Sequence, residues 1–325
     1  MPLTLPDQLV FYNEQVNSHY LDCLEKPICA FISSYHYPFQ WLCSDSWGFY
    51  YGGLHRISAD PVGDYPSFIE NVRGLYGMQF HMLDTGSLFE SMEQLPESGL
   101  KMLVLASTYY LPWVTYDYQQ NANEHAFLIA DYDREQEKVY VVDFAPKYAG
   151  WVDREHIRQA CKSAAFISEP QRCCTFEETG TQLQKAWDKM IGKPAEPGES
   201  NSSGIYGIRK MKEELRQLDP FPFEQIDIIW EPFRKIIATR DKFSEFISFL
   251  DKYPESPYYG RMNPELLHAV RENSGKWFAI RNKLLKSKLT QTLNLQQMDQ
   301  AFDEIIDLEA RCAEQLEHLI RRVEG

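Results

Sequence analysis

The chain has 325 residues, 44% hydrophobic and 14% aromatic, enough to fill one large core or two ordinary ones and too apolar for a disordered segment. A formal net charge of −14 argues against nucleic acid, which needs a basic face, and against an anionic membrane surface. Seven cysteines with no C-x-x-C pair fit neither a small secreted disulfide framework nor a structural zinc centre, so no metal and no cofactor is expected, and a reduced cytoplasmic setting is.

The opening residues MPLTLPDQLVFYNEQ lack a basic stretch followed by an apolar one, so no signal peptide is expected. Apolar runs such as KMLVLA and AFLIA fall far below the roughly 18 residues of a transmembrane helix. The first predicted element is a helix from Leu24 to Tyr35, capped by Asp22, with Pro27 near its first turn. Residues 47–57 read as a strand broken by Gly52 and Gly53, and 65–77 as a short amphipathic helix with a glycine stop. A second short helix spans 87–99 and ends at Pro96, and KMLVLASTYY is a buried strand. Residues 123–146, NEHAFLIADYDREQEKVYVVDFAP, form a β-hairpin that turns near Glu135. Residues 153–163 are predicted as a helix capped by Asp153.

Composition shifts at 192–204, GKPAEPGESNSSG, which reads as a linker. Beyond it the pattern is helical over 205–218, 223–251, 264–288 and 294–323. Ile226, Ile229, Trp230, Phe233, Ile236 and Ile237 mark one buried face, and Ile305, Leu308, Cys312, Leu316 and Leu319 another. The expected architecture is therefore an α+β domain over 1–191, a linker over 192–204 and an all-helical domain over 205–325.

The hairpin opens on His125 and closes on Asp143. With its turn centred near Glu135, Asp143 lies opposite Phe127, one diagonal step from His125 and on the same face. A carboxylate bonded to Nδ1–H would fix the imidazole tautomer, leaving the other ring nitrogen to deprotonate a nucleophile. Polar residues at the ends of an apolar hairpin also fit simple packing, so the nucleophile decides. Cysteine nucleophiles favour helix N-termini, where the helix dipole and a nearby imidazolium favour the thiolate. Cys23 sits there, just after Asp22; Cys29 falls inside the helix and Cys43 in a loop. The other cysteines read as core, and no G-x-S-x-G, H-E-x-x-H or phosphate-loop motif competes. The Cys23 amide is an expected oxyanion donor; Asn17, six residues upstream, is similar in its offset to the side-chain amide donor of papain-like proteases, with His19 and Gln15 as competitors for that role.

Cys23 at a helix start, SSYHYP, STYYLPW, the hairpin HAFLIADYD…VYVVDFAP and YAGWVDREHIRQA follow one another in order over roughly 15–165. In that order and spacing the chain resembles the butirosin biosynthesis protein H family, with its papain-like N-terminal domain and fused helical domain. The resemblance implies acyl transfer from a carrier-protein thioester to an amine acceptor. Cys23 would carry the acyl group, His125 would act as base and Asp143 would orient it. Tyr110 and Trp113 of the middle segment would join Asn17 in the oxyanion and substrate group. A homodimer is compatible with this reading. Delivery of water or an internal nucleophile would make the same triad a hydrolase, peptidase or cyclase, and a papain-like shell without chemistry would be a binding scaffold.

Overall fold

The computed structural model describes residue 16 and residues 19–60, 64–93, 101–195, 201–218 and 223–324. In chain order the elements are α1 (Glu25–Ser34), β1 (Tyr50–Tyr51), β2 (Ile57–Ser58), α2 (Asp64–Tyr76), β3 (Phe80–Leu83), α3 (Leu88–Met92), β4 (Lys101–Ser107), β5 (Glu124–Asp133), β6 (Lys138–Phe144), β7 (Lys147–Asp153), α4 (Arg154–Ala160), β8 (Cys161–Ile167), α5 (Thr179–Ile191), β9 (Ser202–Ser203), α6 (Gly204–Gln217), α7 (Ile226–Lys252), α8 (Pro264–Thr290) and α9 (Leu295–Glu324). The fold is α+β, with antiparallel sheets and a helical C-terminal region.

Two compact units divide the chain, one of residues 1–39 and 71–173, the other of 40–70 and 174–325. The composition break at 192–204 is thus a connection inside the second unit rather than a border between domains. Its ends are drawn together where the Ser203 amide reaches the Lys193 carbonyl at 2.9 Å and the Ser203 hydroxyl accepts from the Lys193 amide at 3.0 Å.

The first unit is built on a six-stranded antiparallel sheet in the order β3-β8-β4-β5-β6-β7. One face carries a cluster that includes Met102, Val104 and Ala106 of β4, Phe127 and Ile129 of β5, and Val139 and Val141 of β6. Leu111, Trp113 and Val114, from the loop between β4 and β5, close over it. Helix α1 packs on β5 and β6. Its ICAFI run is wholly buried, so β5 is covered on both faces and reads as a continuous apolar stretch.

The remaining differences from the sequence expectations are local. Residues 47–57 hold two short strands rather than one, because the chain reverses at Gly53, whose φ of 105° suits glycine. The helix expected over 87–99 is assigned only over Leu88–Met92, and Pro96 lies outside the described residues. The helix expected over 153–163 stops at Ala160, and Cys161 opens β8, pairing with Ala106. The Asp153 side chain makes no cap bond there.

The second unit packs β2-β1-β9 and long helices around Phe49, Tyr51, Ile229, Phe233, Ile236, Trp277, Ile280 and Phe302. The predicted stripe of α9 is buried throughout, whereas Trp230 and Ile237 of α7 lie only partly buried at the edge of the core. At its centre the Arg240 guanidinium bonds Glu309 Oε1 at 2.6 Å and the Gly48 carbonyl at 2.6 Å. Glu309 Oε2 also takes the Trp47 indole N–H at 2.7 Å. Both charges are fully buried and each has several partners, which is what an interior ion pair requires.

Candidate active site

Cys23 lies in the turn that starts α1. Asp22 caps this helix, its Oδ1 accepting the amides of Leu24 and Glu25, each at 2.9 Å. Glu25 Oε2 accepts the Asp22 amide at 3.0 Å, completing a reciprocal box. The Cys23 amide stands outside this network. Cys23 itself is partly exposed, whereas Cys29 and Cys43 are sealed in the core. Burial pushes the Cys161 thiol up to about 11 and the Cys312 thiol upward as well, so both are poor nucleophiles.

His125 opens the buried part of β5 and is 4% exposed. Its Nε2 lies 2.7 Å from Asp143 Oδ2, and the Cys23 side chain stands close enough to the ring to help raise its pKa. Asp143 was expected at Nδ1, but the structure places it at Nε2. The diagonal step between the strands favours the ring atom farthest from the backbone. Burial alone would lower the His125 pKa. The Asp143 bond, the Cys23 side chain and the charges of both outweigh it and raise the value to about 9. His125 and Asp143 thus meet directly, and Cys23, about a hundred positions earlier, acts on the same ring.

Asp143 is fully buried and held from three sides. Oδ2 also accepts the Trp113 indole N–H at 2.7 Å, and Oδ1 accepts the Ala145 amide at 3.0 Å. Trp113, expected in the oxyanion and substrate group, is 8% exposed and turns its only donor toward this carboxylate. Its ring stacks on Tyr148 at 5.2 Å and meets Phe127 edge-on at 5.2 Å. Tyr110 is 38% exposed and packs edge-on against Tyr109. Asn17 and Gln15 lie outside the described residues, and His19 is exposed.

The loop from Thr108 to Asn123 is locked by residues that the sequence reading passed over. Asp117 is buried, and its two oxygens accept the amides of Asn121 and Asn123 at 3.0 Å each. The Thr108 amide reaches the Asn123 carbonyl at 2.9 Å, and the Thr108 hydroxyl accepts the Asn123 amide at 3.1 Å. The Asn123 bond chiefly, then those of Asn121 and Thr108 and the charge of His125, hold the Asp117 carboxyl below the usual carboxylate range. The N-x-N spacing just before His125 is the signal that could have found this network. Tyr116, 59% exposed, has its phenol pushed upward by burial and by the charges of Asp117, Asp143 and Cys23, which puts it in the electrostatic field of the site.

No group of three or more His, Cys, Asp or Glu side chains arranged for a metal ion occurs among the described residues. No helix among them is long and apolar enough to cross a membrane. No family model matches the chain, and no curated protein matches it.

Proposed function

We propose that this protein is a papain-like cysteine acyltransferase that takes an acyl group from a carrier-protein thioester and passes it to an amine in natural-product biosynthesis. The observation that carries this reading is the His125–Asp143 pair at 2.7 Å with the Cys23 side chain, at a capped helix start, acting on the same imidazole. His125, protonated below about 9, holds the proton beside Cys23 while Cys23 Sγ bonds to the thioester carbonyl carbon. The Cys23 amide is a natural donor to the resulting oxyanion, because Asp22 engages the next two amides and leaves it unengaged. Collapse breaks the carrier C–S bond, and His125 returns the proton to the departing thiol. An amine then attacks the acyl-cysteine. His125 takes the amine proton and delivers it to Cys23 as the C–S bond breaks.

The rings of Tyr109, Tyr110 and Tyr116, 39%, 38% and 59% exposed on the loop that also holds Trp113 to Asp143, offer an amphipathic surface for the acyl group.

The test is intact mass after incubation with acyl-pantetheine thioesters, with and without an amine. A stable acyl adduct on wild type and none on Cys23→Ala is expected, with amide product when amine is present. Free acid at the same rate with and without amine would make the protein a hydrolase. Absence of any adduct, with Cys23 alkylated by iodoacetamide no faster than a free model thiol, would make it a scaffold.

A further inference from the structure

Strands β5 and β6 are out of phase at their two ends. Beside the turn, Asp133 pairs with Lys138 and Tyr132 with Val139; farther on, Ile129 pairs with Val141 and Leu128 with Val142. The register shifts between Ile129 and Asp131, so β5 carries one extra residue, Ala130, on its path. Cross-strand partners share a face, and side chains alternate along each strand. Continued without a break, the register beside the turn would set Asp143 opposite Leu128, on the face away from His125. Extended one step past the Leu128–Val142 pair, the register beyond the bulge sets Asp143 opposite Phe127 and on the face of His125, where the two side chains meet at 2.7 Å. The contact therefore depends on an irregularity about five residues, or roughly 17 Å, along the strand from the histidine.

A bulge takes backbone groups out of the ladder, and they must be satisfied elsewhere. The ladder between β4 and β5 ends at Met102 and Ile129, and the next position on β4 is Lys101. Lys101 is 6% exposed, and its Nζ donates to the Ala130 carbonyl at 2.9 Å. A buried ammonium in a strand whose other residues are apolar or small is costly unless it satisfies something. Here it supplies the bond at the bulge that the ladder omits.

We propose that Lys101 is a positioning residue for the His125–Asp143 pair: its ammonium fixes the bulge at Ala130, and the bulge sets the phase that puts both side chains on one face. The inference rests on the acyl-transfer reading only for the task that the pair performs. Loss of a cation by itself would raise the basicity of an imidazole. Loss of the Asp143 contact would lower it. The sign of the change therefore separates positioning from a direct charge effect.

The experiment follows the His125 ring by NMR across pH in wild type, Lys101→Met and Lys101→Arg. The wild-type midpoint is expected near 9. In Lys101→Met it should fall toward the ordinary histidine value of about 6.5, and in Lys101→Arg it should return most of the way. Should Lys101→Met fail to fold, Lys101→Gln, whose shorter amide does not span to the Ala130 carbonyl as the lysine does, replaces it: a midpoint that falls there and returns in Lys101→Arg supports the proposal, and a wild-type midpoint in Lys101→Gln overturns it. A folded Lys101→Met with the wild-type midpoint, or a midpoint that falls equally in all variants, overturns it. This titration needs no substrate, so a wild-type protein that forms no acyl-enzyme would refute acyl transfer and leave the positioning result standing.

Discussion

His125 sets the pH behaviour of the site. Its folded value near 9 lies above the ordinary value of about 6.5. Its contribution to stability is therefore fully present below about 6.5 and is lost as pH rises through about 9. Acyl transfer that uses the imidazolium as acid should show an alkaline limb near 9, and Asp143→Asn should move that limb down toward neutrality in a pH–rate profile. An unmoved limb would show that Asp143 does not tune this histidine. Trp113→Phe keeps the stack on Tyr148 but removes one donor from the buried carboxylate. It should cost about 2 kcal/mol in denaturant unfolding, in the range for a hydrogen bond to a charged group. The sequence placed Cys23, His125 and Asp143 through simple rules of helix starts and strand alternation. Trp113 was assigned to substrate through its place in the STYYLPW segment, and only the fold decides which acceptor its indole N–H meets.

At the scale of elements, the cap of α1 and the bulge of β5 do the positioning. Asp22→Ala removes the acceptor of two amides beside Cys23. A loss of about 1 kcal/mol is expected from denaturant unfolding, as for other N-caps. Because the same turn aims the thiol, alkylation of Cys23 by iodoacetamide should slow as well. Stability lost at an unchanged alkylation rate would mean that the cap does not orient the nucleophile. The cap was legible because Asp22 stands just before an apolar helical run with Pro27 near its first turn, whereas the reciprocal part of Glu25 was not read. The pairing of Asp143 opposite Phe127 was also reached from sequence, but through a turn assumed to centre on Glu135. The ladder beside the turn has a different phase, and the bulge restores the expected one farther along. Nothing in the local pattern of AFLIADYD marks that extra residue, since the carbonyl it frees is answered by Lys101, almost thirty positions away.

For the molecule as a whole, the separation of sheet-rich and helical halves was visible as a change of period, and the long C-terminal helices fall close to their predicted bounds. The membership of residues 40–70 in the second unit was not visible. It rests on partners nearly two hundred positions apart or more, such as Gly48 with Arg240 and Trp47 with Glu309, which no periodicity encodes. Arg240→Met would leave Glu309 buried without its ion-pair partner, and a loss of about 3–5 kcal/mol is expected in equilibrium unfolding. The paired replacement of Arg240 and Glu309 by Met should recover much of it. The central claim concerns the first unit, and one measurement bears on it most directly: intact mass of wild type and of Cys23→Ala after exposure to an acyl-pantetheine thioester, followed by an amine. The expected result is a single acyl adduct on wild type, discharged to amide by the amine, and none on Cys23→Ala. An adduct of equal yield on Cys23→Ala would contradict it.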